Sequence, residues 1–407
     1  MKKARKIAVL VGDGMGDEPI PSLDNHTPLQ VAAMPEIRRV AATGHVQLVR
    51  TVPDGMAPGS DVANMGLLGY HAGENYTGRA AIEAAGAHIP LAPNDVAYRV
   101  NLVTVHDNKI MEDYSAGDMP TEQGRELIAS LEKAAGREGL HFHGGVSYRH
   151  LLVWRDGPTA LSLIPPHEIA GKPILDFLPS GPRQSELRAL MDLSREVFAN
   201  HPVNKERQAA GLRPATQIWP WGCGKAMRLQ SYQERYGLKG GIITAVDLIR
   251  GLGELCGLDV IRVPGATGWT DTDYSAKARA AINCLLQNDF VYVHVEAPDE
   301  CGHKGLAEEK IQAIESISTR IVGPVWASLE AAGKPYRLIV CTDHRTPTAK
   351  RGHTSDPVPF AWVDGPLGSK AFLRDLPPAA FDEFIPLQNA NEKPQLVCHL
   401  MDQLLHH

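Results

Sequence analysis

The chain has 407 residues, too many for one ordinary core, so two domains are expected. With 43% hydrophobic and 22% charged residues, its composition is that of a soluble globular protein. A formal charge of -6 leaves no basic footprint for nucleic acid, and no apolar run approaches the ~18 residues of a membrane span.

In chain order, Met1-Lys2-Lys3-Ala4-Arg5 has the charged start of a signal peptide. The run behind it, which stops at Gly12-Asp13, is too short for the apolar stretch such a peptide needs. The six cysteines (Cys223, Cys256, Cys284, Cys301, Cys341, Cys398) form no CxxC pair, which fits a reduced setting. A cytoplasmic location is expected. The first strand, Lys6-Ile7-Ala8-Val9-Leu10-Val11, empties into Gly12-Asp13-Gly14-Met15-Gly16-Asp17. A turn, a helix and a long Gly- and Pro-rich loop follow. Strands are predicted over 98–105 and 146–154, with a helix from Thr121 to Ala135 that Thr121 is placed to cap. Leu187, Leu190, Met191, Leu193, Val197 and Phe198 mark a further helix, so 141–200 reads as a small α+β module.

Beyond about residue 235 the texture changes. Helical 244–256 leads to strand 258–263, helical 275–287 to strand 290–295, and a long helix from Ala307 to strand 337–342. Ile311, Ile314, Ile317, Ile321, Val322 and Val325 give that last helix one apolar stripe. This alternation argues an α/β fold with a mostly parallel sheet flanked by helices. Strands 6–11 and 338–342 carry the same kind of acidic end, so both chain ends should join one sheet. The expected division is a catalytic domain from 1–94 and 226–407, with a smaller α+β domain inserted over 95–225.

The chemistry sits at the strand ends. Phe290-Val291-Tyr292-Val293-His294-Val295 runs into Glu296, Asp299 and His303, and Leu338-Ile339-Val340-Cys341-Thr342 into Asp343-His344, with His353 shortly after. Ligands in open α/β sheets bind beyond the carboxyl ends of strands. Three such ends rich in Asp and His therefore predict one metal centre. Carboxylate plus imidazole suits Zn2+ or Mn2+, whereas Mg2+ prefers oxygen alone. Ser60, after Pro58-Gly59 and opening an apolar run, either caps a helix or serves as a nucleophile at the helix's positive end. A phosphoryl group is the natural target there, and Asp61 and Asn64 are placed to orient the serine.

Arg99 and Asn101 share one predicted strand, and Arg149 and His150 another. Two arginines can grip a carboxylate or phosphate bidentately, although Arg149 and His150 point to opposite faces of a strand. Lys225, in a Gly-rich loop, is placed either to reach phosphate or to act as a hinge lysine, and Arg79, between Thr77-Gly78 and Ala80, has similar standing. Trp219 and Trp221 read as packing.

Gly12–Asp17, Gly59-Ser60-Asp61-Val62-Ala63-Asn64, Tyr76-Thr77-Gly78-Arg79, Tyr148-Arg149-His150, Ile218–Lys225, Asp299–His303 and Thr342-Asp343-His344 occur in one order. In this they resemble the archaeal-type 2,3-bisphosphoglycerate-independent phosphoglycerate mutases of the alkaline phosphatase superfamily. The resemblance implies an alkaline-phosphatase-like fold and an isomerase of glycolysis and gluconeogenesis. Such an enzyme moves a phosphoryl group between the 3- and 2-positions of glycerate through a phosphoserine, here on Ser60. It also implies two divalent cations, commonly Mn2+ with Zn2+ or Mg2+ in some members, and no bisphosphoglycerate. Asp13, Ser60, Asp343 and His344 would hold one cation, and Asp299, His303 and His353 the other. Arg79, Arg99, Asn101, Arg149, His150 and Lys225 would bind a small phosphorylated substrate, with no nucleic-acid or membrane partner.

One stretch departs from the pattern. Tyr114-Ser115-Ala116-Gly117-Asp118-Met119 stands where many relatives show Arg-Ala-Gly-Arg. A less anionic acceptor would suit that loss, so a homoserine-kinase-like phosphotransferase on the same scaffold is the alternative, followed by a metal-dependent phosphatase. A P-loop kinase is excluded, since no Gly-Lys-Ser/Thr loop is present.

Overall fold

The computed structural model describes residues 5–107, 109–368, 379–386 and 393–406. The chain divides into two units, one formed by Met1–Tyr76 with Leu229–His407 and the other by Thr77–Arg228. The strands in chain order are β1 (Lys6–Gly12), β2 (His45–Val49), β3 (Asp95–His106), β4 (Ile110–Asp113), β5 (Leu140–Val146), β6 (Arg149–Arg155), β7 (Gln217–Lys225), β8 (Gly240–Ile243), β9 (Asp259–Val260), β10 (Phe290–Val295), β11 (Tyr336–Thr342) and β12 (Val358–Gly365).

The first unit is built on a sheet of order β2-β12-β11-β1-β10-β8-β9. β1 runs parallel to both β10 and β11, β10 to β8, and β8 to β9. Among the described residues only β12 and β2 are antiparallel additions, at one edge. Mixed sheets of this kind bury both faces of their central strands, so those strands read as near-continuous apolar runs. On one face Ala8, Leu10, Val291, Val293, Val295, Leu338 and Val340 pack with Ile314, Ile317, Ile321, Val322 and Val325. The mostly parallel α/β sheet is thus the one that the helix–strand alternation predicts.

The long helix expected from Ala307 is interrupted. It runs Ala307–Ile317, widens into a π-turn over Ser318–Val322 and resumes as Gly323–Ala332. Pro324 has no N–H to donate and its ring crowds the preceding turn, so the turn loosens and the Gly323 N–H reaches back to the Ser318 carbonyl. The Ser318 hydroxyl is turned to use, accepting from the Glu36 and Ile37 amides.

The second unit has an antiparallel sheet, β4-β3-β6-β5, with β7 also on β3. Val96, Tyr98, Val100 and Leu102 on one face of β3 pack with Leu127, Ile128 and Leu131 of helix Thr121–Ala135, and with Leu187, Leu190 and Met191 of helix Gln184–Ala199. The expected cap is absent. Pro120 occupies the cap position, and the Thr121 hydroxyl instead accepts from the Ser147 amide at 3.1 Å. Among the described residues no helix is long and apolar enough to cross a membrane.

Candidate active site

Strand register assembles the site. Gly12 of β1 lies beside Val295 of β10 and Thr342 of β11, so all three strands end at one level. The next residues of each strand therefore emerge together: Asp13, Glu296 and Asp343. The Gly14 amide donates to Asp343 Oδ1 at 3.0 Å, and the Met15 amide to the Thr342 hydroxyl at 3.0 Å. Gly14 has φ +60, and a Cβ there would lie 2.5 Å from the Thr346 hydroxyl and 2.7 Å from Asp299 Oδ1. Only glycine fits that turn.

Two groups of donors converge. Asp13, His294 and Asp343 form one, and Asp299, His344 and His353 the other, with the donor atoms of each group within 4.8 Å of one another. His344 lies between them. Its Nε2 is 3.4 Å from Asp13 Oδ1 and 3.5 Å from Asp343 Oδ2, while Nδ1 faces the Thr346 hydroxyl at 3.1 Å. His303 Nε2 is 2.9 Å from His353 Nε2 and 3.3 Å from Asp299 Oδ2. The structure thus brings Asp13, Asp299, His303, Asp343, His344 and His353 together, while Glu296 pairs with Lys277 and Asp17 with Lys310.

Divalent cations fit this donor set. Asp13 Oδ1 and His294 Nε2 are buried with no hydrogen-bond partner, a costly state for polar atoms unless something else satisfies them. Charge tells the same story. Burial, and then the nearby Asp343 and Asp299, push the Asp13 carboxyl well above the ordinary range. Burial also works against charge on Asp343 and Asp299, but imidazoles outweigh it, His344 and His294 for the first and His303 and His353 for the second. Burial pulls His344 down to about 4, whereas contact with Asp299 lifts His303 to about 9. A cation held by these residues would replace these protons as the counter-charge. Dialysed protein carrying His294→Ala or His353→Ala is expected to retain less divalent metal than the unmodified chain. Unchanged metal content in either variant removes that residue from the centre.

His294 is the residue that sequence reasoning passed over, because it lies inside an apolar strand rather than beyond it. Alternation was the available signal: Val291, Val293 and Val295 face the core, which sends Tyr292 and His294 to the opposite face. Glu296 Oε1 lies 3.3 Å from His294 Nδ1 and accepts from the Thr244 hydroxyl and the Ala245 amide. The fully buried Lys277 ammonium pairs with Glu296 Oε2 at 2.8 Å and donates to the His294 carbonyl.

Ser60 opens the helix Ser60–Leu67, but Gly59 holds the cap position and the hydroxyl makes no capping bond. Ser60 Oγ instead lies 3.1 Å from His344 Nε2. Asn64 orients it: the amide nitrogen donates to the Ser60 carbonyl and to Asp343 Oδ2, both at 2.8 Å, while Tyr292 donates to the amide oxygen. Asp61 does not take part, since its oxygens accept from the Tyr76 hydroxyl and the Val62 amide.

The remaining predicted residues belong to the second unit. Arg99 pairs with Glu83 at 2.9 Å and lies over the Trp221 ring at 4.0 Å; Glu83 also accepts from Arg79. Asn101 donates to the Tyr114 carbonyl and accepts from the Trp221 indole. Arg99 and Asn101 are therefore buried and committed, whereas Arg149 and Lys225 are exposed. Loop 114–119 is held by Asp113, which accepts from the Ser115 and Gly117 amides and pairs with Arg213, and by Arg207 on the Ala116 carbonyl.

His150 points inward, opposite to Arg149, as strand alternation requires. Its Nδ1 accepts from the Gly145 amide at 2.9 Å, and burial, with Arg125 adding, pushes its pKa down to about 3. Above the ordinary value of 6.5 the ring is neutral in both folded and unfolded chains. Below it the unfolded ring gains a proton that the folded one refuses, so stability falls until about pH 3. His150→Phe is expected to flatten this acid limb when urea midpoints are measured against pH. An unchanged slope would place the proton linkage elsewhere.

Fold and centre together define a class: an open α/β enzyme scaffold that gathers carboxylates and imidazoles from parallel strand ends around a serine at a helix N-terminus. Residues 41–204 match the family described as 2,3-bisphosphoglycerate-independent phosphoglycerate mutase. The chain is 47% identical over 381 residues to a probable mutase of that description from Geobacter sulfurreducens, covering 93% of this chain and 94% of that one. It is 49% identical over 356 residues to the Methanothrix thermoacetophila enzyme, covering 88% and 90%. A solved protein from Pyrococcus horikoshii shares the fold at TM-score 0.75 and 27% identity, covering 89% of this chain and 88% of that one. The cofactor-independent phosphoglycerate mutase of Thermoplasma acidophilum does so at TM-score 0.64 and 24% identity, covering 99% and 100%. The chain belongs to the 2,3-bisphosphoglycerate-independent phosphoglycerate mutase family, a family of metal-dependent isomerases.

Proposed function

We propose that this protein interconverts 3-phosphoglycerate and 2-phosphoglycerate in the cytoplasm, with Ser60 carrying the phosphoryl group between the two positions. The observation that carries this reading is Ser60 Oγ at 3.1 Å from His344 Nε2, at a helix N-terminus beside the carboxylate–imidazole cluster. Asp13, Ser60, Asp343 and His344, with His294 behind them, would hold one divalent cation and Asp299, His303 and His353 the other. Mn2+ is the first candidate, and such cations lower the serine pKa and stabilise phosphoryl charge.

Ser60 Oγ bonds to phosphorus as the bond from phosphorus to the 3-oxygen breaks. The serine loses its proton, and the departing oxygen takes one. Glycerate reorients, its 2-oxygen takes the phosphoryl group, and Ser60 is regenerated. The helix N-terminus favours the negative charge throughout, and Asn64 keeps that end of the helix tied to Asp343. We assign the substrate's anionic groups to the second unit, which contains the 95–225 insert. Arg79, Arg149 and Lys225 would make direct contact, with Arg99, Asn101 and His150 forming the ground beneath them.

The deciding experiment is a coupled assay of Mn2+-loaded protein on 3-phosphoglycerate, without ATP and without 2,3-bisphosphoglycerate. Formation of 2-phosphoglycerate that ceases on chelation is the expected result. No conversion by folded, metal-loaded protein overturns the reading in favour of phosphotransfer to another acceptor.

A further inference from the structure

We propose that His71, Cys398 and His399 form a second, separate cation site, selective for thiophilic divalent ions of the Zn2+ kind, which staples the C-terminal helix to the segment following the Ser60 helix. The three donor atoms lie within 4.8 Å of one another. The rings of His71 and His399 are stacked at 5.9 Å, and Cys398 is a reduced thiol with 3% of its surface exposed. His71 Nδ1 is buried with no hydrogen-bond partner. A buried polar atom in that condition asks for a ligand.

Both segments are held in place by their backbones. The His71 carbonyl accepts from the Glu74 and Asn75 amides, opening the turn Ala72–Asn75. Gly73 leaves room for the ring, since a Cβ there would lie 3.2 Å from His71 Nδ1. On the other side, Arg50 donates to the Gln395 carbonyl and accepts from the Val397 amide, which fixes the start of helix Val397–His406. Little has to move for the donors to close on an ion.

Donor chemistry separates this site from the active centre. Carboxylates and imidazoles accept Mn2+, whereas a thiolate with two imidazoles selects Zn2+ and leaves a fourth tetrahedral position, as in sites completed by water. His399 is exposed, so that position is open to solvent. Coordination takes Cys398 as the thiolate and releases its proton to water. The staple bears on catalysis through packing alone: a Cβ on Gly66 would lie 3.0 Å from Val397 Cγ1, so the C-terminal helix lies directly against the helix that begins at Ser60.

Co2+ is the probe, because neither donor group of the active centre contains sulfur. Titration of the full chain with Co2+ is expected to raise a sulfur-to-cobalt charge-transfer band in the near ultraviolet, and Cys398→Ser to abolish it. Because His399 is exposed, His399→Ala tests the site without disturbing the core. It should weaken the ion binding that produces the band by at least about tenfold, given that even changes behind a metal's own ligands cost that much. No such band at saturating Co2+, or a band that survives Cys398→Ser, overturns the proposal.

Discussion

Replacing Ser60 by Ala is expected to cut turnover by about 10⁴-fold or more, the scale on which enzymes respond to losing a nucleophile that acts with partners. The hydroxyl makes no capping bond and lies against His344 Nε2, so its loss removes the proposed nucleophile while leaving the helix intact. The unfolding free energy should therefore stay within about 0.5 kcal/mol of that of the unmodified chain, as for substitutions away from core and cap. Metal content should also stay near normal, because the carboxylates and imidazoles remain. The same variant should fail to take up label from phosphorylated substrate. Undiminished turnover would end the case for a phosphoserine. Lost turnover together with a collapsed unfolding midpoint would show instead that Ser60 is structural.

The second large effect falls on stability. Lys310→Met is expected to destabilise the protein by about 3–5 kcal/mol, the cost of stranding one member of a buried ion pair. Lys310 is fully buried, and its ammonium donates to the Gly16 carbonyl, Asp17 Oδ2 and the Thr346 carbonyl, each at 2.9 Å. Burial lowers its pKa, opposed by Asp17, whose carboxylate also accepts from the Thr348 and Glu18 amides. Methionine fills much the same volume but leaves that carboxylate without its counter-charge and removes the ammonium from two carbonyls. Because Gly16 and Thr346 belong to the two loops that position Asp13 and Asp343, turnover should fall below what the folded fraction predicts. A loss under about 1 kcal/mol, the scale of a surface pair, would mean that the ammonium is not held as described.

The parts of this architecture legible in the sequence are those with a local signature. Apolar runs that stop at Gly12, Val295 and Thr342 announce buried strands, and the acids and imidazoles beyond them announce the site. The register that levels those three ends is a property of pairing, and no periodicity within one strand reveals it. His294 was masked for a related reason: its strand looks uniformly buried until the neighbours show which face meets the core. The capping expectation for Thr121 failed by one residue, because Pro120 takes the position before it, and of the two readings of Ser60 the cap is the one that Gly59 takes over. Arg99 and Asn101 look like exposed grips in sequence, and only the packing of β3 against helix Arg79–Gly86 and β7 shows that Glu83 and Trp221 engage them.

β1 sits between β10 and β11, so its edges pair with strands synthesised almost a whole chain length later. The first strand to leave the ribosome is thus among the last to find its partners, while Thr77–Arg228 is one continuous stretch that can settle on its own in the meantime. Catalytic competence becomes a late event in the life of each molecule. A chain that stops short of Asp343 lacks part of the centre, and a growing one acquires it only near the end of translation. Partial products therefore carry Ser60 without its full set of neighbouring carboxylates and imidazoles.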